Sequence, residues 1–456
     1  MRLLRSRAGR WVLPVAAVWI VAGCGTSYVE EEIEIKRHAR PELAALGQQD
    51  SLAEGEDASS PDQSTLEAWL RYGLIHNAGL RSSYQAWRAA LERIPQVIAL
   101  PEPRFSYSQF VERVQTRTGA QEQNFSLSQA FPWFGKLEAR GRVEARGAEK
   151  LWWDLEAAAL AVDQEIRDAF FEYVYLQQVI DITNENLVLL KRLEPVAQSR
   201  VQGGGRDDEL LRLQVEIGKL ENELETLQTF RKPLSSRLRA AMNWRGDELL
   251  PWPSSPKHVE GELRTEGLQD ALRASNPRLR ALREQIHQAE ERIELAKLSG
   301  YPDLGLGATY IATDEAISPN VPGSGDDPLF FTLSFTLPIW RQKYNAEVKE
   351  AEARKRSATT RLVQTENDLR ADLDQALYKL DDALRQRDLY QLSLIPRARQ
   401  ALEVTQVAYQ ADRATLTDFI DAQRIYLGFE RAYDRARADL EQARARIRAL
   451  TGGIMP

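Results

Sequence analysis

The sequence predicts a mostly helical, elongated protein with a small β part, built from two tandem copies of one unit. Three observations lead to this fold class. Residues 148–194 and 343–395 contain neither glycine nor proline, which is typical of very long helices. Two short stretches alternate apolar and polar residues, as a half-exposed β-strand does. Short motifs also recur in the same order in both halves of the chain, which indicates a duplication.

The N-terminus has the layout of a lipoprotein signal peptide over residues 1–23. A basic start precedes a short apolar core, which is too short to span a bilayer, and small residues then lead to Cys24. Cys24 is the only cysteine of the chain, and its context resembles a bacterial lipobox. We therefore expect Cys24 to carry lipid such as palmitate; the alternative is a chance cysteine in an ordinary signal peptide. Residues 24–64 are polar and predict an irregular tether.

Composition excludes several classes of protein. The formal net charge of the full chain is −7, and the signal peptide would take four arginines with it, so the mature chain is acidic and unsuited to nucleic acid. A single cysteine leaves no disulfide framework. Beyond Cys24 no run of eighteen apolar residues occurs, so a membrane crossing by the mature chain has to use strands or lipid.

The duplication rests on four pairs of short segments at spacings of 199 to 208 residues. The pairs are 77–81 with 276–280, 103–107 with 302–306, 127–132 with 333–338, and 201–202 with 409–410. Each match is weak alone, but their common order predicts a first half at residues 65–245 and a second half at 268–451. Proline and glycine between the halves predict a connector at 246–267.

Each half is expected to run helix, two strands, very long helix, turn and long helix. The long helices fall at about 137–245 and 343–450. Apolar residues after the first turn follow a 3-4-3-4-3 spacing, which indicates a coiled-coil seam; they are Leu210, Leu213, Ile217, Leu220, Leu224 and Leu227. A generic coiled-coil scaffold would have the same helices, so the helices alone do not define the function.

The predicted hairpins, at about 104–132 and 303–338, are more informative. Their strands have one apolar and one small polar face and are near the length that crosses a membrane in a barrel; a soluble hairpin lying on the helices is the alternative. Four strands cannot close a barrel, and open edges are not tolerated in lipid, so several copies would have to share one. Three copies would supply twelve strands. The connections at residues 116–121 and 318–327 are expected to face the cell exterior.

These features together resemble the TolC-like outer-membrane efflux family over residues 66–450. The segment 128–136, Ser-Gln-Ala-Phe-Pro-Trp-Phe-Gly-Lys, is similar to the family's junction between barrel and helical tunnel. Proline and glycine suit such a corner because they end strand pairing and permit a sharp turn. By this resemblance Pro132, Gly135 and Pro338 mark the junctions.

The segment 409–422 resembles the periplasmic tip of the family. Tyr409, Asp418, Asp421 and Ala422 match it, and the two aspartates are implied to line the pore constriction. Two positions depart from the pattern. Asp412 occupies the place of a usual glycine, and Ala414 that of an arginine that helps to latch the entrance; the neighbouring Arg413 is a possible substitute. In the first half the tip turn is predicted at Gly203, Gly204 and Gly205.

The resemblance implies a homotrimer with a twelve-stranded outer-membrane barrel and a twelve-helix periplasmic tunnel. It also implies a periplasmic adaptor protein and an inner-membrane pump of the RND type as partners, and outer-membrane lipid as surroundings. The expected function is a passive exit duct for small molecules or metal ions. Two alternatives stay open, the exit channel of a type I protein secretion system and a lipid-anchored periplasmic coiled-coil scaffold without a pore.

No enzyme chemistry is expected. The sequence contains neither a Walker-type phosphate loop nor a His-Glu-x-x-His motif. The four histidines are scattered, with no cysteine beside them, so neither a metal site nor a cofactor is predicted. His287 lies in a helical pattern that favours a solvated or face-lining side chain.

Overall fold

The computed structural model describes residues 64–203, 207–254 and 266–453. Each half begins with two helices and a β-hairpin and continues into long helices. The first half comprises α1 Leu66–His76, α2 Ala78–Ile98, β1 Arg104–Thr116, β2 Gly119–Phe131, α3 Lys136–Gln202 and α4 Asp207–Met242. The second comprises α5 Leu268–Ser275, α6 Pro277–Ser299, β3 Leu304–Thr313, β4 Leu329–Phe335, α7 Arg341–Leu389, α8 Ile395–Gln410 and α9 Leu416–Leu450.

The duplication extends to individual hydrogen bonds. Asn77 caps α2 by accepting from the Leu80 N–H at 3.0 Å, and its amide donates to the Ala241 carbonyl at 2.7 Å. Asn276 does the same in the second half: it caps α6, and its amide donates to the Leu450 carbonyl at 2.9 Å. Each asparagine therefore joins the start of its half to the end of the last helix of that half.

A left-handed residue follows the end of each of those last helices. Asn243, with φ 57°, follows α4, and Gly452, with φ 77°, follows α9. Asparagine tolerates this conformation better than most residues, and glycine adopts it without strain. An added Cβ on Gly452 would lie 2.3 Å from the carbonyl oxygen of Ser275, so the second corner has no room for a side chain.

The four strands form one antiparallel sheet in the order β1-β2-β3-β4. Residues opposite each other across an antiparallel pair project to the same face. The register aligns Tyr107, Phe125, Tyr310 and Leu329 in one row across all four strands. Besides Tyr107 and Leu329, the exposed large apolar residues of this face are Phe105, Leu127, Leu306, Phe331, Leu333 and Phe335.

The opposite face of the sheet is small and polar. One row aligns Arg104, Ser128, Gly307 and Thr332, and hydroxyls or glycines fill most of the neighbouring rows. Ile311 and Phe330 are the exceptions on this face. The outer strands β1 and β4 each pair on one side only within the described chain, so the sheet has two open edges.

The connection expected at residues 116–121 is much shorter than predicted. β1 and β2 meet in a tight turn of two residues, Arg117 and Thr118, and the rest of that segment is paired strand. The polar residues of this segment favour a loop, but polar side chains also occur on strands, so the turn is confined to residues 117–118. In the second half a real loop, residues 314–328, separates the strands, and its Gly325 N–H donates to the Thr118 carbonyl at 2.9 Å.

The long helices pack as the apolar spacing predicts. Leu213, Ile217 and Leu220 of α4 are buried in one cluster with leucines of α3 and with the start of α9.

The 67 residues of α3 extend about 100 Å at 1.5 Å per residue. Its counterpart is interrupted by a π-helical turn, Tyr390–Leu394, between α7 and α8. Prolines inside these helices do not end them: Pro195 lies within α3 and Pro396 in the first turn of α8.

Among the described helices, none combines the length and the apolar character that a membrane span requires.

Candidate functional site

The corner between β2 and α3 is held by residues from both halves. Gly135 is the cap residue before α3, with φ 81°, and the adjacent Lys136 is buried. The Lys136 ammonium donates to the Asp303 carboxylate at 2.7 Å and to the Tyr301 carbonyl at 2.9 Å. Asp303 also accepts from the backbone N–H of Trp133 at 2.8 Å. Pro132 and Gly135 thus lie at a corner that the Asp303 carboxylate of the second half fixes. The sequence analysis did not predict this role of Asp303.

Large apolar side chains are exposed at both strand-to-helix corners. In the first half, Phe134 is 78% exposed; in the second, where Pro338 follows β4, Ile339 and Trp340 are 67% and 71% exposed. The corners adjoin the strand ends, so these exposed side chains lie next to the sheet along the chain.

At the far end of the long helices, Tyr409 is buried against Arg200 of α3. The Arg200 guanidinium lies over the tyrosine ring at 4.2 Å and donates to the Tyr409 carbonyl at 2.6 Å. It also lies 3.4 Å from the carboxylate of Asp412. Burial raises the pKa of the Tyr409 hydroxyl, against the opposing effect of Arg200. Arg200 was not predicted, because only the folded chain brings α3 to the second-half tip.

The tip turn explains the departure at residue 412. Asp412 has φ 58°, the left-handed conformation for which glycine is usual and aspartate is tolerated. The carboxylate that replaces the glycine then faces Arg200. Arg413, the suggested substitute for a latch arginine, donates its backbone N–H to the Ala408 carbonyl at 2.8 Å. Gly203 ends α3, with its N–H bonded to the Ser199 carbonyl, while Gly204 and Gly205 lie outside the described residues.

Asp418 and Asp421 lie in the first two turns of α9, and both are exposed. Asp418 forms a capping box with Thr415: its carboxylate accepts from the Thr415 N–H at 2.9 Å and the Thr415 hydroxyl at 2.7 Å. These hydrogen bonds, the hydroxyl first, lower the pKa of Asp418, so it is ionised at neutral pH. Asp421 lies 3.7 Å from Arg424. The structure therefore gives Asp418 a local capping role in a single chain.

Behind this acidic start, α9 is tied to the first half by charged pairs. Arg424 binds the Glu216 carboxylate with two N–H groups, one at 2.9 Å, and this pairing lowers the pKa of Glu216. Arg431 pairs with Glu223 and donates to the Thr183 hydroxyl at 2.7 Å. The tip is thus one unit made of helices from both halves.

Cys24 and the tether up to residue 63 lie outside the described residues, as do residues 255–265 of the predicted connector. His287 is exposed and lies 3.1 Å from Glu290. Within the ranges that the structure describes, no three His, Cys, Asp or Glu side chains are grouped so that they could hold a metal ion.

Comparison with known proteins identifies relatives of the second half in sequence. Residues 268–453 match the family described as outer membrane efflux protein, which confirms the predicted resemblance. A curated Haemophilus influenzae protein, described only as uncharacterized, is 24% identical over 212 residues. That alignment covers 44% of this chain and 44% of the relative, so the chain spans less than half of the relative's length.

Solved structures share the fold over most of the chain. The outer-membrane channel OprN superposes with a TM-score of 0.72 at 17% identity, covering 86% of this chain and 91% of its own. The CmeC outer membrane channel of Campylobacter jejuni gives 0.70 at 16%, covering 90% and 91%. The MtrE outer membrane channel of Neisseria gonorrhoeae gives 0.69 at 18%, covering 88% and 95%. At these identities the likeness shows the fold, and it confirms the predicted TolC-like class.

Proposed function

We propose, for a chain whose second half matches the outer membrane efflux protein family, that three copies form the outer-membrane channel of a tripartite efflux system. The channel is a passive duct, and no residue of it performs catalysis. It works with a periplasmic adaptor protein and an inner-membrane pump of the RND type. Lipid on Cys24 is part of the proposal and rests on the sequence.

The four-stranded sheet is the observation that supports a membrane channel best. It has an exposed apolar face, a small polar face and two open edges at the end of a helical wall about 100 Å long. Unpaired edges are not stable in hydrocarbon, because water is absent and every N–H and C=O needs a partner. Pairing β4 of one copy with β1 of the next removes both edges. A threefold ring then gives twelve strands with the small polar face towards the lumen.

A scaffold without a pore does not explain this sheet. Such a protein would gain nothing from exposing Phe331 to 81% and Leu333 to 60% on a strand. The exposed corner residues Phe134 and Trp340 also fit the periplasmic boundary of a bilayer better than open solvent. A protein-secretion exit would use the same duct, and the choice of cargo would then belong to the pump.

The experiment is purification of the full-length protein from outer-membrane fractions. Unheated samples should migrate as a trimer in denaturing gels and heated samples as a monomer, and the trimer should form conducting pores in planar bilayers. Mass spectrometry of the same sample should show a mature chain that begins at an acylated Cys24. Recovery of a monomer in the soluble periplasmic fraction, without pore activity, would contradict the channel.

We further propose that Asp418 and Asp421 ring the periplasmic mouth. Threefold symmetry would place six carboxylates near the axis, and like charges held together attract multivalent cations. Changing both residues to Asn should reduce the cation preference of the pore and weaken its block by trivalent cations, with the trimer intact. The measurement is reversal potential and block in planar bilayers with the cation added from the periplasmic side.

Thr415→Ala provides the matched control for this pair. It removes the capping box of α9 but leaves both charges, so selectivity and block should stay as in the unmodified channel. If the double Asn variant also keeps its selectivity and block, the two aspartates lie away from the pore, and Asp418 acts only as a cap.

A further inference from the structure

A groove between α6 and α7 carries three arginines and no carboxylate in its lining. Its volume is about 280 Å³, and Arg292, Arg354 and Arg361 border it. The amide of Gln285 and the hydroxyl of Ser357 add neutral polar groups to its wall. Every charged group that lines the groove is therefore positive.

Neighbouring carboxylates neutralise little of this charge. Arg354 pairs with Glu350 at 2.5 Å, whereas Arg292 and Arg361 make no ion pair or side-chain hydrogen bond with any residue that the structure describes. The two acids that precede Arg292 in the sequence of α6 are engaged elsewhere. Glu290 pairs with Lys355 at 3.0 Å, and Glu291 pairs with Arg142 at 2.7 Å.

In the first half, side chains fill the seam between α2 and α3, which corresponds to the groove between α6 and α7. By the spacing of 206 residues that relates β2 to β4, Ala358 corresponds to Trp152 and Arg361 to Leu155. Trp152 packs on Trp87 with ring centroids 4.9 Å apart, and Leu155 is buried in the same apolar cluster. The second half has instead small residues at the floor, Ala289 and Ala358, and open space above them.

A second cavity, of about 300 Å³ at the junction of α3, α6 and α9, lacks this property. Its lining includes Glu165 and Asp168 as well as Arg237, Arg278 and Arg446, so acids and bases are mixed there. Arg446 is already bonded to Asp372 and lies 3.2 Å from the Gln164 amide oxygen. The groove between α6 and α7 is the more selective environment for an anion.

We propose that this groove binds phosphate-bearing anions through Arg292, Arg354 and Arg361. Guanidinium groups match phosphate oxygens with pairs of parallel N–H donors, and Gln285 and Ser357 supply further donors. The anion can be a soluble phosphate compound or the headgroup of a lipid. The site goes beyond the proposed channel, since binding there does not depend on conduction.

Calorimetric titration of the full-length protein in non-ionic detergent, at low ionic strength, tests the site with pyrophosphate as the probe. The unmodified protein should bind it saturably, and added salt should weaken binding. Arg292→Gln combined with Arg361→Gln should weaken binding about tenfold or more. Ala358→Trp, which installs the first-half residue, should cause a similar loss with all three arginines present.

Arg93→Gln is the matched control. Arg93 occupies the position of Arg292 in the first half, at the spacing of 199 residues, and pairs with Glu144 at 3.3 Å beside the filled seam. This variant should bind pyrophosphate as the unmodified protein does. Melting curves by circular dichroism should show that each variant is folded.

A second arm uses nanodiscs of phosphatidylcholine with and without phosphatidylglycerol. If the anionic lipid raises the melting temperature of the unmodified protein but not of the Arg292→Gln/Arg361→Gln variant, the source of the anion is a lipid headgroup. If the lipid raises neither melting temperature while pyrophosphate binds the unmodified protein, the source is a soluble phosphate compound. The proposal is overturned if neither probe distinguishes the unmodified protein from the variants. Pore conductance of the variants, measured separately, reports on the channel and not on the groove.

Discussion

Phe331→Arg is expected to abolish stable trimers in the outer membrane. Phe331 lies on β4, is 81% exposed and belongs to the apolar face of the sheet. Arginine near the middle of a membrane barrel's lipid face costs about 2–4 kcal/mol, and a threefold assembly would carry this cost in each of its three copies. The measurement is the amount of heat-modifiable trimer in outer-membrane fractions.

The adjacent residue supplies the control. Thr332 belongs to the opposite, small polar face, in the row of Arg104, Ser128 and Gly307. Thr332→Arg should leave the trimer in the membrane, because the side chain would enter a water-filled lumen, and should alter only conductance. Equal loss of trimer in both variants would show that the two faces are not lipid and lumen.

Gly452→Ala is expected to lower the free energy of unfolding by about 2 kcal/mol or more. Gly452 has φ 77°, and its added Cβ would lie 2.3 Å from the Ser275 carbonyl oxygen and 2.7 Å from the Ser275 carbonyl carbon. The clash is with backbone, which cannot rotate away as a side chain can. The strain falls on the corner where Asn276 holds the Leu450 carbonyl. Thermal unfolding followed by circular dichroism gives the change.

Gly428→Ala is the matched control in the same C-terminal region. Gly428 lies within α9, and an added Cβ there would meet no heavy atom within 4 Å apart from its chain neighbours and the backbone of its own helix. Alanine should therefore stabilise this helix by about 0.5–1 kcal/mol. If the melting temperature of the Gly452→Ala protein equals or exceeds that of the Gly428→Ala protein, the backbone at Gly452 and Ser275 accommodates the added methyl group without a measurable loss of stability.

The sequence predicts the parts of this fold that depend on local pattern. The glycine- and proline-free segments indicate α3 and α7, and alternation indicates β2 and β4, because each element exposes one face along its length. Asn77 and Asn276 reveal the duplication, although their role as caps that reach Ala241 and Leu450 emerges only in the folded chain.

The features that the sequence does not reveal join residues far apart along the chain. Asp303 fixes the first-half corner through Lys136, and Arg200 packs on Tyr409, at separations of 167 and 209 residues. The spacing of the repeats also reflects a difference between the two hairpins. It grows from 199 to 206 residues across the hairpins, because the loop at 314–328 is longer than the two-residue turn of the first half, while the shorter strands β3 and β4 offset part of that difference.

The open edges of the four-stranded sheet have a consequence for gene dosage. In the proposed ring of three, every chain contributes both edges, so one chain with a damaged edge leaves one joint unpaired and prevents the ring from closing. If a defective copy were expressed at the same level as the normal one and mixed freely, roughly one ring in eight would consist of normal chains alone. A mutation on β1 or β4 would then be dominant. A mutation that unfolds the whole chain would be recessive, because the unfolded chain would not enter the ring.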